Sequence, residues 1–296
     1  MTSIPGSSRR PVAIGLSTAA LTLLAACSSG GSDSAHGLAT RTGAASASTG
    51  TDSTASASTG SAGTQTARNA LLTAATEAHH INSAVTTLHV KVVGSQASTE
   101  TGTIQYRLKP DLLMGEDLHI AAEGGNTEVK MILTGTDVYF SEPGLSAGKG
   151  WMKLSRSALK GTAAASFGKL IQSMQSSNFT NQQELLAVAK NARVVGTQTI
   201  DGVPTTEYAG SFRASDAVRA LSPSVRQVLG PQLQTLGDSI ISFREWIDGQ
   251  HHVRQVIENE TVKGNHVTTT MNISGINQPV QITLPAASQT TTSPGQ

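Results

Sequence analysis

Cys27 is the single cysteine in the 296 residues, which excludes an internal disulfide framework and a cysteine-based metal cluster. Aromatic residues are almost as scarce, at 3%, so whatever core forms must be filled by aliphatic side chains. Neither sign of charge dominates: 21 Lys and Arg stand against 20 Asp and Glu, for a net charge of +1. A chain so balanced has no basic field to attract a phosphate backbone, and nucleic acid is not expected as a partner. Catalytic signatures are missing as well. There is no Gly-x-Ser-x-Gly elbow, no phosphate-binding Gly-rich loop ending in Lys-Ser/Thr, and no His-Glu-x-x-His helix. No enzyme activity, cofactor or metal is therefore expected.

What is present begins with an export signal: Arg9 and Arg10, an apolar stretch from Val12 to Leu24, then small residues. The stretch falls short of the ~20 residues of a membrane span. It ends in Leu24-Ala25-Ala26-Cys27, the pattern of a lipobox whose cysteine receives a diacylglyceryl group before cleavage. The lone cysteine thus sits at the acceptor position. Residues 1–26 read as a lipoprotein signal peptide, with Cys27 anchoring the chain to the outer face of the cytoplasmic membrane. From Cys27 to Thr66 the chain is nearly all Ser, Thr, Ala and Gly, with too little apolar surface to offset the entropy of ordering. It reads as a disordered tether with a reach of roughly 35 Å, able to carry O-linked sugar.

Residues 67–285 read as one domain. Ala67–His80 has helical spacing, with Ala70, Leu71, Ala74, Ala75 and Ala78 on one side. The period then changes to two. Leu88, Val90 and Val92 alternate with polar residues, as do Ile104, Tyr106 and Leu108, then Leu118 and Ile120, then Val129, Met131 and Leu133, then Val138 and Phe140. Phe167, Leu170, Ile171 and Met174 return to helical spacing, and Thr180 with Gln183 has capping-box spacing for a second helix. Asp201-Gly202 marks a hairpin whose returning strand is Val203–Phe212. Ser222-Pro223 starts a helix with Val225, Val228, Leu229, Leu233 and Leu236 as its stripe, kinked by Pro231 and ended by Gly237. Three strands follow, Ile240–Asp248, His252–Glu260 and Asn265–Ser274, and residues 286–296 read as a loose tail. The fold class is α+β, with a large antiparallel sheet of about nine to eleven strands and helices against one face.

The order of parts, together with Val194-Val195-Gly196-Thr197-Gln198-Thr199-Ile200-Asp201-Gly202-Val203-Pro204-Thr205 and the strand holding Trp246, resembles the actinobacterial LppX/LprG-type lipoproteins of the LolA/LolB-like superfamily. The resemblance covers roughly residues 68–285. It implies a strongly curved half-barrel sheet with helices over its concave face and acyl chains between the two. The hairpin motif serves the turn and the strand start, and no binding residue is carried over from it.

His79-His80 and His251-His252 lack the i, i+4 spacing of a helical zinc pair and read as surface or turn residues. Glu116-Asp117 and Glu258-Asn259-Glu260 read as solvent-facing. The expected function is to bind or carry a lipid or other acylated ligand, with Val90, Val92, Ile104, Tyr106, Val129, Met131, Leu133, Leu170, Ile171 and Met174 as candidate cavity residues. A bland packing of the same aliphatic side chains, without a cavity, stays open. The alternative function is a non-catalytic envelope sensor or scaffold that docks a protein partner through an exposed apolar patch.

Overall fold

A computed structural model of the chain describes residues 56–143, 148–155, 157 and 179–292. The signal segment, Cys27, most of the tether and the expected helix with Phe167, Leu170, Ile171 and Met174 lie outside the described residues.

Among the described residues twelve strands form one sheet, and period-two patterning decides where most of them run. The first meander comprises β1 (Ser83–Val93), β2 (Ser98–Arg107), β3 (Leu113–Ala122), β4 (Gly125–Thr134), β5 (Asp137–Ser141) and β6 (Trp151–Ser155). The second comprises β7 (Arg193–Ile200), β8 (Val203–Arg213), β9 (Ile240–Asp248), β10 (Val253–Val262) and β11 (Asn265–Ser274). Pairing β1 with β11 joins the two into one open, curved sheet, and β12 (Thr290–Thr291) adds to β6 at the far edge. Every pairing is antiparallel except that of β12 with β6. The tight turns use residues that tolerate positive φ: Asp201 and Gly202 at 48° and 79°, Lys263 and Gly264 at 49° and 81°. Both pairs have the geometry that matches strand twist in a two-residue hairpin.

Four α-helices are present among the described residues: α1 (Ser56–Ala78), α2 (Phe179–Ala187), α3 (Ala214–Ala220) and α4 (Pro223–Leu236). α1 begins well before Ala67, inside the stretch read as tether; its Ser, Thr and Ala residues continue a helix already nucleated by the apolar turns that follow. Its buried stripe is Ala67, Leu71, Ala74, Ala75 and Ala78, small residues that let it lie close against α2 and β7. α2 starts at Phe179, one residue ahead of the expected cap at Thr180. Glu184 in α2 accepts from the Ser222 N–H at 2.7 Å, and Ser222 caps α4 by accepting from Val225 N–H at 3.4 Å. α4 buries Val225, Leu229, Leu233 and Leu236, runs through Pro231, and ends at Gly237 with φ 56°.

The tail is not loose throughout. A 3-10 turn at Ala287–Gln289 leads into β12, and Thr290 and Thr291 pair with Trp151 and Met152. β6 would otherwise end the sheet with unpaired backbone groups, which a neighbouring strand satisfies. The preceding segment crosses the outer face, where a Cβ added at Gly115 would stand 3.2 Å from the Ile282 side chain.

Candidate functional site: the inner face of the sheet

One face of the sheet carries most of the buried residues. On β1 these are Ala84, Thr86, Leu88, Val90 and Val92, while Thr87, His89, Lys91 and Val93 point outward and are exposed. Every described residue of the expected cavity set falls on this inner face. Val90 and Val92 come from β1, Ile104 and Tyr106 from β2, and Val129, Met131 and Leu133 from β4. β3 connects them: Met114 pairs with both Tyr106 and Leu133, and Leu118 pairs with Gly102 and Val129. All are buried except Val129, which is half-buried. Phe140 and Met152 extend the same apolar surface across β5 and β6. Gly102 is set between Leu88 and Leu118, and a Cβ there would collide with the Asp117 carbonyl and the Leu118 side chain.

The same face holds acidic groups that the sequence reading placed in solvent. Glu116 is 4% exposed and Glu258 8%, and Glu100 and Glu245 are buried too; Glu260 is half-buried. Strand parity is the physical reason. Glu116 lies two residues from Met114 and two from Leu118, so the pleat turns it inward with them. Glu258 shares a face with Val256 in the same way, and Glu245 with Phe243 and Ile247. That alternation was the signal available in the sequence, and it outranks the polarity of the side chain.

Cross-strand register sets these groups in adjacent rows. One row runs Ile120, Glu100, Val90, Thr269, Glu258, Phe243, Gly210. The next runs Leu118, Gly102, Leu88, Met271, Val256, Glu245, Tyr208. Glu260, opposite Val267, lies on the other side of the first row. α2 faces the β10 and β9 end: Gln182 Nε2 donates to Glu258 Oε1 at 2.5 Å, and Gln183 stands near Glu245 without a hydrogen bond of normal geometry.

Burial dominates the electrostatics. It raises the carboxyls of Glu116, Glu245 and Glu258 to about 8 and those of Glu100 and Glu260 to about 7. Neighbouring carboxyls push Glu116, Glu245 and Glu258 further in the same direction, while the two glutamines pull Glu245 and Glu258 partly back. Desolvation likewise lifts the Tyr106 phenol above its ordinary range. Several of these groups have no hydrogen-bond partner among the described residues: Glu100 Oε1, both oxygens of Glu116, Glu260 Oε2 and Tyr106 Oη.

Elsewhere the chemistry is ordinary. Asp117, His119 and Glu128 bring ligand atoms within 4.8 Å of one another, but all three are exposed and Lys130 Nζ already sits 2.7 Å from Glu128 and 3.5 Å from Asp117. His79 and His80 are exposed at the end of α1, and His251 occupies a turn with φ 63°. A surface groove of about 610 Å³ lies beside α3, lined in part by Lys190, Arg213, Phe212 and Arg219, and Arg219 is paired with Asp216. The exposed large apolar residues are spread over α1 (Leu72), β1 (Val93), β7 (Val194, Val195), β9 (Ile240) and the terminal segment (Leu284). Among the described residues no helix is long and apolar enough to cross a membrane.

No protein-family model and no curated protein sequence matches the chain. Several solved structures align with about three quarters of the chain. LprF from Mycobacterium bovis is 12% identical, with 75% of this chain and 98% of that one covered and a TM-score of 0.47. Lipoprotein LppX from Mycobacterium tuberculosis is 18% identical, with 74% and 99% covered and a TM-score of 0.43. A LolA-superfamily protein from Nitrosomonas europaea is 10% identical, with 73% and 94% covered and a TM-score of 0.27. At such identities and TM-scores the likeness concerns the general course of the chain alone.

Proposed function

We propose that this is a non-catalytic, membrane-anchored lipoprotein of the cell envelope that binds or carries a lipid or other acylated ligand against the inner face of its sheet. The observation that carries the reading is the extent of aliphatic surface on that face. On β1–β6, Leu88, Val90, Ile104, Met114, Leu118, Met131, Leu133 and Phe140 share one face and are buried. Acyl chains suit such a surface, since each methylene withdrawn from water contributes about 0.8 kcal/mol. Cys27 supplies the anchor and the Ser/Thr tether lets the domain work at some distance from the bilayer.

Native mass spectrometry of the chain from residue 27 onward, with Cys27→Ser, tests the reading after incubation with a total envelope lipid extract. One acyl lipid per chain is expected. A chain that stays empty under those conditions overturns the carrier function.

A further inference from the structure

Ion pairs are spread unevenly over the surface. Lys130 pairs with Asp117 and Glu128, Lys153 with Asp137, Arg244 with Glu207 and Arg254 with Asp248. One corner of the sheet, made by the start of β7, the end of β8 and the start of β9, has cations in excess. Lys190 and Arg213 line the groove beside α3 and make no ion pair among the described residues. Arg219 in the same groove is paired with Asp216, and Arg193, exposed at the first position of β7, has no ion pair among the described residues either. Asp238 turns its carboxylate to Ser215 Oγ at 2.7 Å, while its carbonyl accepts from Arg213 Nη1 at 3.4 Å. Next to Lys190, Asn191 is tied to β8: its Oδ1 accepts from the Ser211 N–H and its Nδ2 donates to Ser211 Oγ, both at 2.8 Å. Exposed aliphatic side chains accompany these charges. Ile240, opposite Arg213 in the β8–β9 register, lines the groove and is 55% exposed, and Val194 and Val195, following Arg193, are 45% and 48% exposed.

We infer that this corner is a docking face for an anionic phospholipid bilayer, with Lys190, Arg193, Arg213 and Arg219 at the headgroup phosphates and Ile240, Val194 and Val195 entering the interfacial layer beside them. An anionic interface attracts basic side chains that stand next to exposed aliphatic ones. Each cation near such a surface strengthens binding about fivefold, equivalent to about 1 kcal/mol, and each aliphatic side chain adds apolar burial. The choice of a bilayer over an acidic protein rests on the anchored reading, in which a lipid on Cys27 keeps the domain within tether reach of the membrane. The docking itself requires neither the anchor nor a bound cargo. Because the whole chain carries a net charge of only +1, the attraction is local and open to screening by salt. It orients the domain on the bilayer and does not hold it there unaided.

Vesicle flotation of the chain from residue 27 onward, with Cys27→Ser, tests the face on pure phosphatidylcholine and on equal parts of phosphatidylcholine and phosphatidylglycerol. Binding to the mixed vesicles is expected to be roughly tenfold tighter at low salt and to disappear at high salt. Lys190→Gln combined with Arg213→Gln should weaken it by roughly tenfold or more, and Ile240→Ser should weaken it several-fold, with urea midpoints unchanged. Lys91→Gln combined with Lys263→Gln makes the same change in net charge at exposed positions outside the corner, and should leave binding nearly intact. No binding to the mixed vesicles overturns the docking face and leaves the groove's cations to an acidic protein segment. Equal binding to both kinds of vesicle, or equal losses in the two double variants, overturns it as well, since neither outcome depends on this corner. The cargo measurement with the lipid extract is separate, so a chain that carries lipid yet ignores anionic vesicles sinks the docking face alone.

Discussion

Glu116 stands between Ile104 and Met131 with both carboxyl oxygens unpaired among the described residues, and its pKa of about 8 has a consequence for the unliganded fold. The same group titrates near 4.5 when exposed, so between those values the folded state holds more protons than the unfolded one. Stability therefore falls as pH rises from about 4.5 through 8, by up to about 1.4 kcal/mol per pH unit for each such group. Glu245 and Glu258 add to the same slope. Urea unfolding should show a more stable protein at pH 5 than at pH 8, and Glu116→Gln should flatten that difference by stabilising the protein mainly at pH 8. A wild-type stability that does not change between the two pH values would mean the carboxyl is already ionised and paired in the fold. Gly210 makes a different demand. A Cβ there would meet the Phe243 ring at 2.7 and 2.9 Å and Ala189 at 3.3 Å, and Phe243 is fixed by burial and by Phe212, 6.4 Å away between ring centroids. Gly210→Ala should cost about 1–3 kcal/mol through overpacking, read as a lower urea midpoint, whereas Gly249→Ala, where an added Cβ meets nothing within 4 Å, should change it far less.

At the scale of elements, legibility followed the strength of the local period. Strands with unbroken alternation, such as Leu88-His89-Val90-Lys91-Val92, and turns with Asp201-Gly202 or Lys263-Gly264 were readable because each residue's preference agreed with its neighbours'. That Val90, Ile104, Met131 and Leu133 share one face was readable for the same reason. The acidic half of that face was not, because assigning Glu116 and Glu258 by polarity ignored the parity they share with Met114 and Val256. β12 could not be read at all: two threonines have no period, and their pairing is set by the edge of a strand more than a hundred residues earlier. Cutting the chain after Pro285 should return β6 to an edge position. Amide hydrogen exchange in Trp151–Ser155 is expected to quicken while β1 and β11, in the middle of the sheet, keep their protection; unchanged exchange in β6 would show that β12 contributes nothing to holding that edge.

For the whole molecule, the pairing of β1 with β11 places the two meanders side by side, with Val85 opposite Ser274 and Val93 opposite His266, so the domain closes only when the last long strand reaches the first. No described helix is long and apolar enough to cross a bilayer, and a net charge of +1 gives little attraction to anionic lipid. In the proposed reading membrane residence rests on acyl chains at Cys27, where two chains would hold firmly and one only marginally. Cells making the wild-type chain and fed radioactive palmitate should yield a labelled band of this protein in the membrane fraction. Cys27→Ser should abolish the label and move the protein out of carbonate-washed membranes, without altering its urea midpoint, since the tether separates the cysteine from the folded part. Retention of the unlabelled variant on washed membranes would mean that the domain itself, through its inner face or its surface, holds the bilayer, and the protein would have to be understood as a membrane-bound receptor for its ligand instead of a carrier on a lipid leash.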